Sequence, residues 1–289
     1  MSKLIITPST IEEINLYKDA DCYLLGNEAF SVRYNHCYNV HELKEAHKLI
    51  KSMNKEIYIN VNKIFQETDL NNLREYLKFL KELDVDAILF SDFSVYQISK
   101  ELGIENKCIM YHETYPLNTL DLEVILSFGL KGVIISKEVE IDMLRNTSKF
   151  NNVGITAFGH IEMFNSKRKL LETFSDEHNL CKDYVKSYNV KVKEMTRDNL
   201  YPLYQDDNGT NIFTSFVYSA LKDFKELLSL NMEYFIIDTI FLDKDYSLNV
   251  LNIFNDLRNN KEVDLDKFYN ESKYELGSGF LHTNVGLVK

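Results

Sequence analysis

Eight short apolar runs punctuate the chain, at residues 4–7, 22–26, 56–62, 87–92, 107–112, 132–136, 153–159 and 234–240. Most are followed by a turn and then by a stretch of helical spacing. Continuous apolar runs of this kind mark parallel strands whose outer face is covered by helices. Between the third and fourth runs, Leu73, Tyr76, Leu77, Leu80 and Leu83 recur every three or four residues, which outlines one face of a helix. After the first run, Ser9-Thr10-Ile11-Glu12 has the spacing of a capping box. Alternating strand and helix units either close into a barrel or wind into an open sheet. Eight units within 289 residues favour the α/β class and a (β/α)8 TIM-like barrel, one domain over residues 1–289. The open sheet stays as the alternative on periodicity alone. No Gly-rich phosphate loop follows any run, which removes its usual support.

One connection is far longer than the others. Between Gly159 and Tyr234 come three extended stretches, 188–195, 203–205 and 211–213. The last two flank Asp206-Asp207-Asn208-Gly209, and Asn-Gly is a preferred dipeptide for a tight hairpin turn. The expectation is a β-hairpin inserted between strands seven and eight, at about residues 160–215, followed by a helix over 216–230. A second long connection spans residues 27–38. The stretch Gly277-Ser278-Gly279-Phe280-Leu281 reads as a loop leading into a last extended segment.

Charge and cysteine content exclude several function classes. The net charge of -11 argues against an unaided nucleic-acid binder, because phosphate affinity comes from Lys and Arg. No two of Cys22, Cys37, Cys108 and Cys181 are separated by only two residues, so neither a zinc ribbon nor a redox pair is indicated. Cys22 and Cys108 lie in apolar runs and read as buried small hydrophobes. His36, Cys37 and His41 fit no standard zinc spacing, and no metal site is expected. Met1-Ser2-Lys3-Leu4-Ile5-Ile6 enters a strand at once, without the apolar region of a signal peptide, and no run reaches membrane-spanning length. A cytoplasmic protein without a membrane partner is expected.

Active sites of such barrels lie at the C-terminal ends of the strands. Polar residues fall there in number: Asn27, Glu28, Arg33, Asn60, Asn62, Asp92, His112, Glu113, Thr114, Lys137, Glu138 and Asp238. They suit acid–base chemistry, and equally a satisfied polar rim. His112 and Glu113 are neighbours on a strand and point to opposite faces, so they cannot easily share a metal. No His-Glu-x-x-His helix, Gly-x-Ser-x-Gly elbow or Cys–His nucleophile pattern is present. Residues 167–197 hold eight Lys or Arg against five acids, about +3, which leaves the rest near -14. Lys167, Arg168 and Lys169 are the compact part of that segment, placed to meet RNA or an acidic partner, or simply to solvate a helix end.

The stretch Ile155-Thr156-Ala157-Phe158-Gly159-His160-Ile161-Glu162-Met163-Phe164-Asn165-Ser166-Lys167-Arg168-Lys169-Leu170-Leu171 resembles the short members of peptidase family U32. So do Arg197-Asp198-Asn199-Leu200-Tyr201-Pro202-Leu203-Tyr204-Gln205, the earlier Leu25-Gly26…Phe30…Arg33, and the late Ser278-Gly279-Phe280-Leu281. The general family signature is eroded: its two cysteines fall on Met163 and Leu170. The resemblance implies an accessory or substrate-binding subunit of prephenate-dependent 5-hydroxylation of the tRNA wobble uridine, acting with a longer U32-family partner. It implies no cofactor in this chain, with an iron–sulfur cluster in the partner and tRNA reached through the complex. A small dicarboxylate such as prephenate needs fixed cations, which puts Arg33 and Lys137 first among binding candidates, with Asn62, His112, Glu113 and Glu138 around them. Lys137-Glu138 stands where the family usually shows Arg-Glu. The family also implies two alternatives, a collagenase-like peptidase and a non-catalytic binding subunit.

Overall fold

The computed structural model describes residues 2–283. Eight parallel strands form its centre: β1 (Lys3–Ile6), β2 (Cys22–Gly26), β3 (Glu56–Val61), β4 (Ala87–Phe90), β5 (Cys108–Tyr111), β6 (Gly132–Ile135), β7 (Val153–Ser166) and, after an insertion carrying three strands, β11 (Tyr234–Ile237). Each pairs with its sequence neighbour, and β11 closes the ring by pairing with both β1 (Ile6 with Ile237) and β7 (Phe235 with Ile155). The (β/α)8 TIM-like barrel expected from periodicity is thus the observed fold. Alternate residues on each strand divide between two cores. Ile5, Leu24, Leu89, Ile109, Ile134 and Ile236 fill the barrel, while Leu4, Ile6, Tyr23, Leu25, Ile57 and Ile59 meet the surrounding helices.

Several of those helices begin where a side chain satisfies their first N–H groups. In α1 (Ile11–Leu16), Thr10 accepts from the Glu13 N–H, and the Glu13 carboxylate takes the Ser9 N–H at 2.7 Å. The expected Ser9–Glu12 box is therefore displaced by one residue. Asn39 and Glu42 form a full capping box on α2 (Val40–Ser52). The helix α3 (Leu70–Leu83) buries Leu73, Tyr76, Leu77 and Leu80, the predicted face. Asp92 caps α4 (Phe93–Glu101) and Asn118 caps α5 (Thr119–Leu126). The short α6 (Ile141–Arg145) leads into β7.

The insertion differs from its expected outline. The run read as ending at Gly159 continues seven residues further, and the extended part of β7 pairs antiparallel with β10 (Gly209–Ser219). Between them lie α7 (Leu170–His178), the edge strand β8 (Lys191–Lys193) and β9 (Leu200–Asp206). The hairpin is present, as β9 and β10, with Asn208-Gly209 at its turn. The helix expected over 216–230 shrinks to α8 (Phe224–Ser229). Its first part is strand, because Val217 and Tyr218 pair with β7 on one side and with β12 (Leu276–Gly277) on the other. Long-range pairing overrides local periodicity there. Two further helices, α9 (Lys244–Arg258) and α10 (Leu265–Glu271), complete the outer layer. The loop over 277–281 docks by accepting the Ile141 N–H at the Leu281 carbonyl; the extended segment expected after it lies outside the described residues.

Candidate functional site

The C-terminal ends of the strands converge under two covers, the loop 27–38 and the β7–β10 extension. The loop is fixed from below. The Asn27 side-chain N–H donates to the Tyr38 carbonyl at 2.8 Å, and its backbone N–H donates to Ser31 Oγ at 2.7 Å. The Asn62 amide clamps Val32 from both sides, accepting its N–H at 2.9 Å and donating to its carbonyl at 3.2 Å. The next residue, Arg33, is thereby held at φ 69°, in the left-handed region. For a residue with a Cβ that conformation costs on the order of 1 kcal/mol or more and persists only where surroundings impose it. Its result is a guanidinium aimed down onto the barrel axis.

An ionic layer meets it there. Arg33 pairs with Glu162 and, at 3.3 Å, with Glu113, while Lys137 pairs with the other side of Glu113. Below them Asp238 accepts the Ile240 N–H at 3.0 Å and the Thr7 hydroxyl at 3.4 Å. Gly159 makes room for it: at φ 137°, an added Cβ would come within 2.8 Å of Asp238. Asn60 donates to the Tyr34 hydroxyl at 2.9 Å, but among the described residues its Oδ1 has no partner, and neither has Oε1 of Glu162.

The same burial acts differently on the three carboxylates. Burial works against ionised Glu113, but Lys137 and Arg33 overcome it and hold its pKa down to about 2. Burial pushes Asp238 up to about 6, with the Ile240 N–H and the two cations offsetting only part. Burial also raises Glu162, against the pull of Arg33 and with the help of Glu113. His160 is shifted down by burial, and its Nδ1 lies 2.8 Å from the Thr214 carbonyl.

This layer divides the mouth of the barrel in two. Beneath is a small cavity of about 20 Å³, lined by Thr7, Asn60, Tyr111, Lys137, His160 and Asp238 among others. That is room for about one water. Above is an open groove of about 800 Å³, within the range of small-molecule sites. Arg33, Asn62, Glu113 and Glu162 border both spaces.

The sequence candidates distribute unevenly over this arrangement. Arg33, Glu113 and Lys137 come together in the ionic layer. Asn62 stands beside them with its amide spent on Val32, so it positions Arg33. His112, Thr114 and Glu138 line only the groove. Asp92 is occupied in capping α4 and accepting the Phe65 N–H, and Asn27 in the loop. Lys167 reaches the groove rim, but Lys169 is neutralised by Asp207 at 2.9 Å, and Arg168 lies outside both spaces. The basic excess of residues 167–197 is further offset by Asp198, just outside the segment, which pairs with Lys193 at 2.8 Å. Glu162, His160 and Tyr34 were not among the binding candidates. Glu162 lies beyond Gly159, where β7 was expected to have ended.

The residues present do not fit an iron–sulfur cluster. Cys22 and Cys108 are buried on separate strands, Cys37 lies in the loop after β2, and Cys181 is exposed in the insertion. Among the described residues no three His, Cys, Asp or Glu side chains gather as metal ligands. No helix among them is long and apolar enough to cross a membrane.

The family model described as Peptidase family U32 matches residues 12–283. The chain belongs to that family. It is 24% identical to tRNA hydroxylation protein P2 of Bacillus subtilis over 259 residues, 87% of this chain and 84% of that protein. It is 29% identical to the uncharacterized protease MJ0090 of Methanocaldococcus jannaschii over 128 residues, 44% of this chain and 30% of that protein. Among solved structures, the U32 peptidase Mk0906 superposes with a TM-score of 0.53 at 12% identity, covering 82% of this chain and 92% of that one. That likeness supports the U32 barrel as a fold and says nothing of the reaction.

Proposed function

We propose that this chain is an accessory or substrate-binding subunit in prephenate-dependent 5-hydroxylation of the tRNA wobble uridine, acting with a longer U32 protein. The observation that carries the reading is the similarity to tRNA hydroxylation protein P2, which runs along nearly the whole of both chains. The site adds a binding chemistry and no nucleophile. Among the described residues Arg33 is the cation that lines both the groove and the small cavity beneath it, and its fork suits a carboxylate of a small dicarboxylate such as prephenate. Lys137 sits deeper and holds Glu113 ionised. Glu162 is the partner that gives way: burial raises its pKa, so of the two carboxylates on Arg33 it yields the cation more readily to the ligand's carboxylate. His112 and Glu138 then flank the ligand from the groove wall. The residues of this chain bind and orient, and the iron–sulfur chemistry is assigned to the partner. Deleting the gene is expected to remove 5-hydroxyuridine derivatives from tRNA, read by nucleoside mass spectrometry, and wild-type but not Arg33→Met protein is expected to restore them. An unchanged nucleoside profile rejects the proposal.

A further inference from the structure

The outer layer of the barrel carries a feature that the site does not use. On α5, Leu122 and Ile125 are buried against the core, and the opposite side of the same helix is apolar as well. Leu117, Leu120, Val124 and Phe128 recur there at spacings of three and four, and they are 43%, 69%, 56% and 37% exposed. A helix that is apolar all round belongs in an interior. The stripe continues onto α4. Phe128 meets Phe93, itself 50% exposed, at 6.3 Å between ring centres. It also meets Tyr96 at 5.6 Å, and the Tyr96 hydroxyl donates to the Phe128 carbonyl at 3.1 Å. These contacts tie the two helices into one preformed face. None of the five exposed residues lines the groove or the cavity beneath the ionic layer.

We infer that this α4–α5 face is where a second copy of the chain docks, α5 against α5 across a twofold axis. Area and charge both point to that occupant. The five side chains together expose on the order of 500 Å², toward the upper end of what the largest patch on a monomer shows. A stable interface takes about 800 Å² from each partner, and in homodimers about 65% of it is apolar. The stripe supplies that apolar share. Around it Arg74 pairs with Glu101 and Lys149 with Glu123, both at 2.6 Å, while Lys100 lies over the Tyr96 ring and Asp121 accepts from the Asn118 amide. These flanking charges sum to zero on a chain of net charge -11. A twofold interface sets each patch against itself, so a signed patch repels its own copy and a neutral one does not. A partner drawn by charge to this acidic chain would be basic and would seek acidic ground, which this face lacks. The pairing stands apart from the hydroxylation reading, since no residue of the groove takes part in it.

Sedimentation velocity of the full chain at micromolar concentration should give twice the 33.9 kDa of one copy. Leu120→Asp and Val124→Lys test the face without opposing the helix, because an acid in its first turn and a cation in its last suit the dipole. Each change enters the interface twice, so each should raise the dissociation constant at least about a hundredfold and leave a monomer whose circular dichroism is unchanged. Leu200→Asp, at an open position on β9, should leave the dimer intact. Hydrogen exchange of the unmodified chain needs no variant: protection over residues 117–128 should fall as dilution separates the copies. A chain that stays monomeric at every concentration overturns the inference. So does a dimer that survives both α5 variants in folded form, one that Leu200→Asp dissolves, or protection over 117–128 that dilution does not change. A monomer that uses this face only for a different protein overturns it as well.

Discussion

In the middle of the barrel Ile5, Leu24, Leu89, Ile109, Ile134 and Ile236 pack against one another, and at the upper end of the same strands Arg33, Glu113, Lys137, Glu162 and Asp238 are crowded together. The apolar layers stabilise through burial, at roughly 25 cal/mol per Å² removed from water. The ionic layer works the other way. Desolvating five charged groups costs more than pairing returns unless every lone pair is satisfied, and Glu162 Oε1 is not. A left-handed Arg33 adds strain to the same place. Two regions a few residues apart along each strand thus answer to different requirements, packing below and ligand chemistry above.

Breaking the upper region from one side should give the largest effect. Arg33→Met leaves Glu113 and Glu162 without their shared cation and should cost about 3–5 kcal/mol in denaturant unfolding. Adding Glu162→Gln to it, which leaves the Glu113–Lys137 pair intact, should recover most of that loss, and if it does not, the layer stabilises the fold after all. In the middle region Ile109→Ala should cost about 3 kcal/mol through its cavity, with no dependence on pH. Asp238→Asn sharpens the contrast. The carboxyl has a folded pKa of about 6, above its ordinary value near 3.8, so ionisation weakens the fold as pH rises through that interval. The variant should exceed wild type by about 3 kcal/mol at pH 8, and the advantage should vanish below about pH 3. The smallest effect concerns the groove rim: Lys167→Ala should change stability by less than about 0.5 kcal/mol, since its side chain is exposed and takes part in no ion pair among the described residues.

All eight barrel strands were legible, because a strand covered on both faces leaves a contiguous apolar run whatever its neighbours are. Arg33, Glu113 and Lys137 were legible as polar residues at strand ends. Glu162 was not, since the mixed stretch His160-Ile161-Glu162-Met163 alternates with the needs of an antiparallel partner fifty residues away. The pairing of Lys169 with Asp207 was equally hidden, and it reduces a basic run of three to its first members.

What the chain carries in its own order of residues is the barrel: local apolar runs, helix faces and caps are short-range properties and need no knowledge of contacts. Which charges meet is a different kind of fact. Arg33 and Glu162 are separated by 129 positions, and their meeting depends on an Asn62 clamp, a left-handed backbone and a strand extended by its partner. Coulomb interaction and desolvation depend on distance and burial, and only the closed fold sets those.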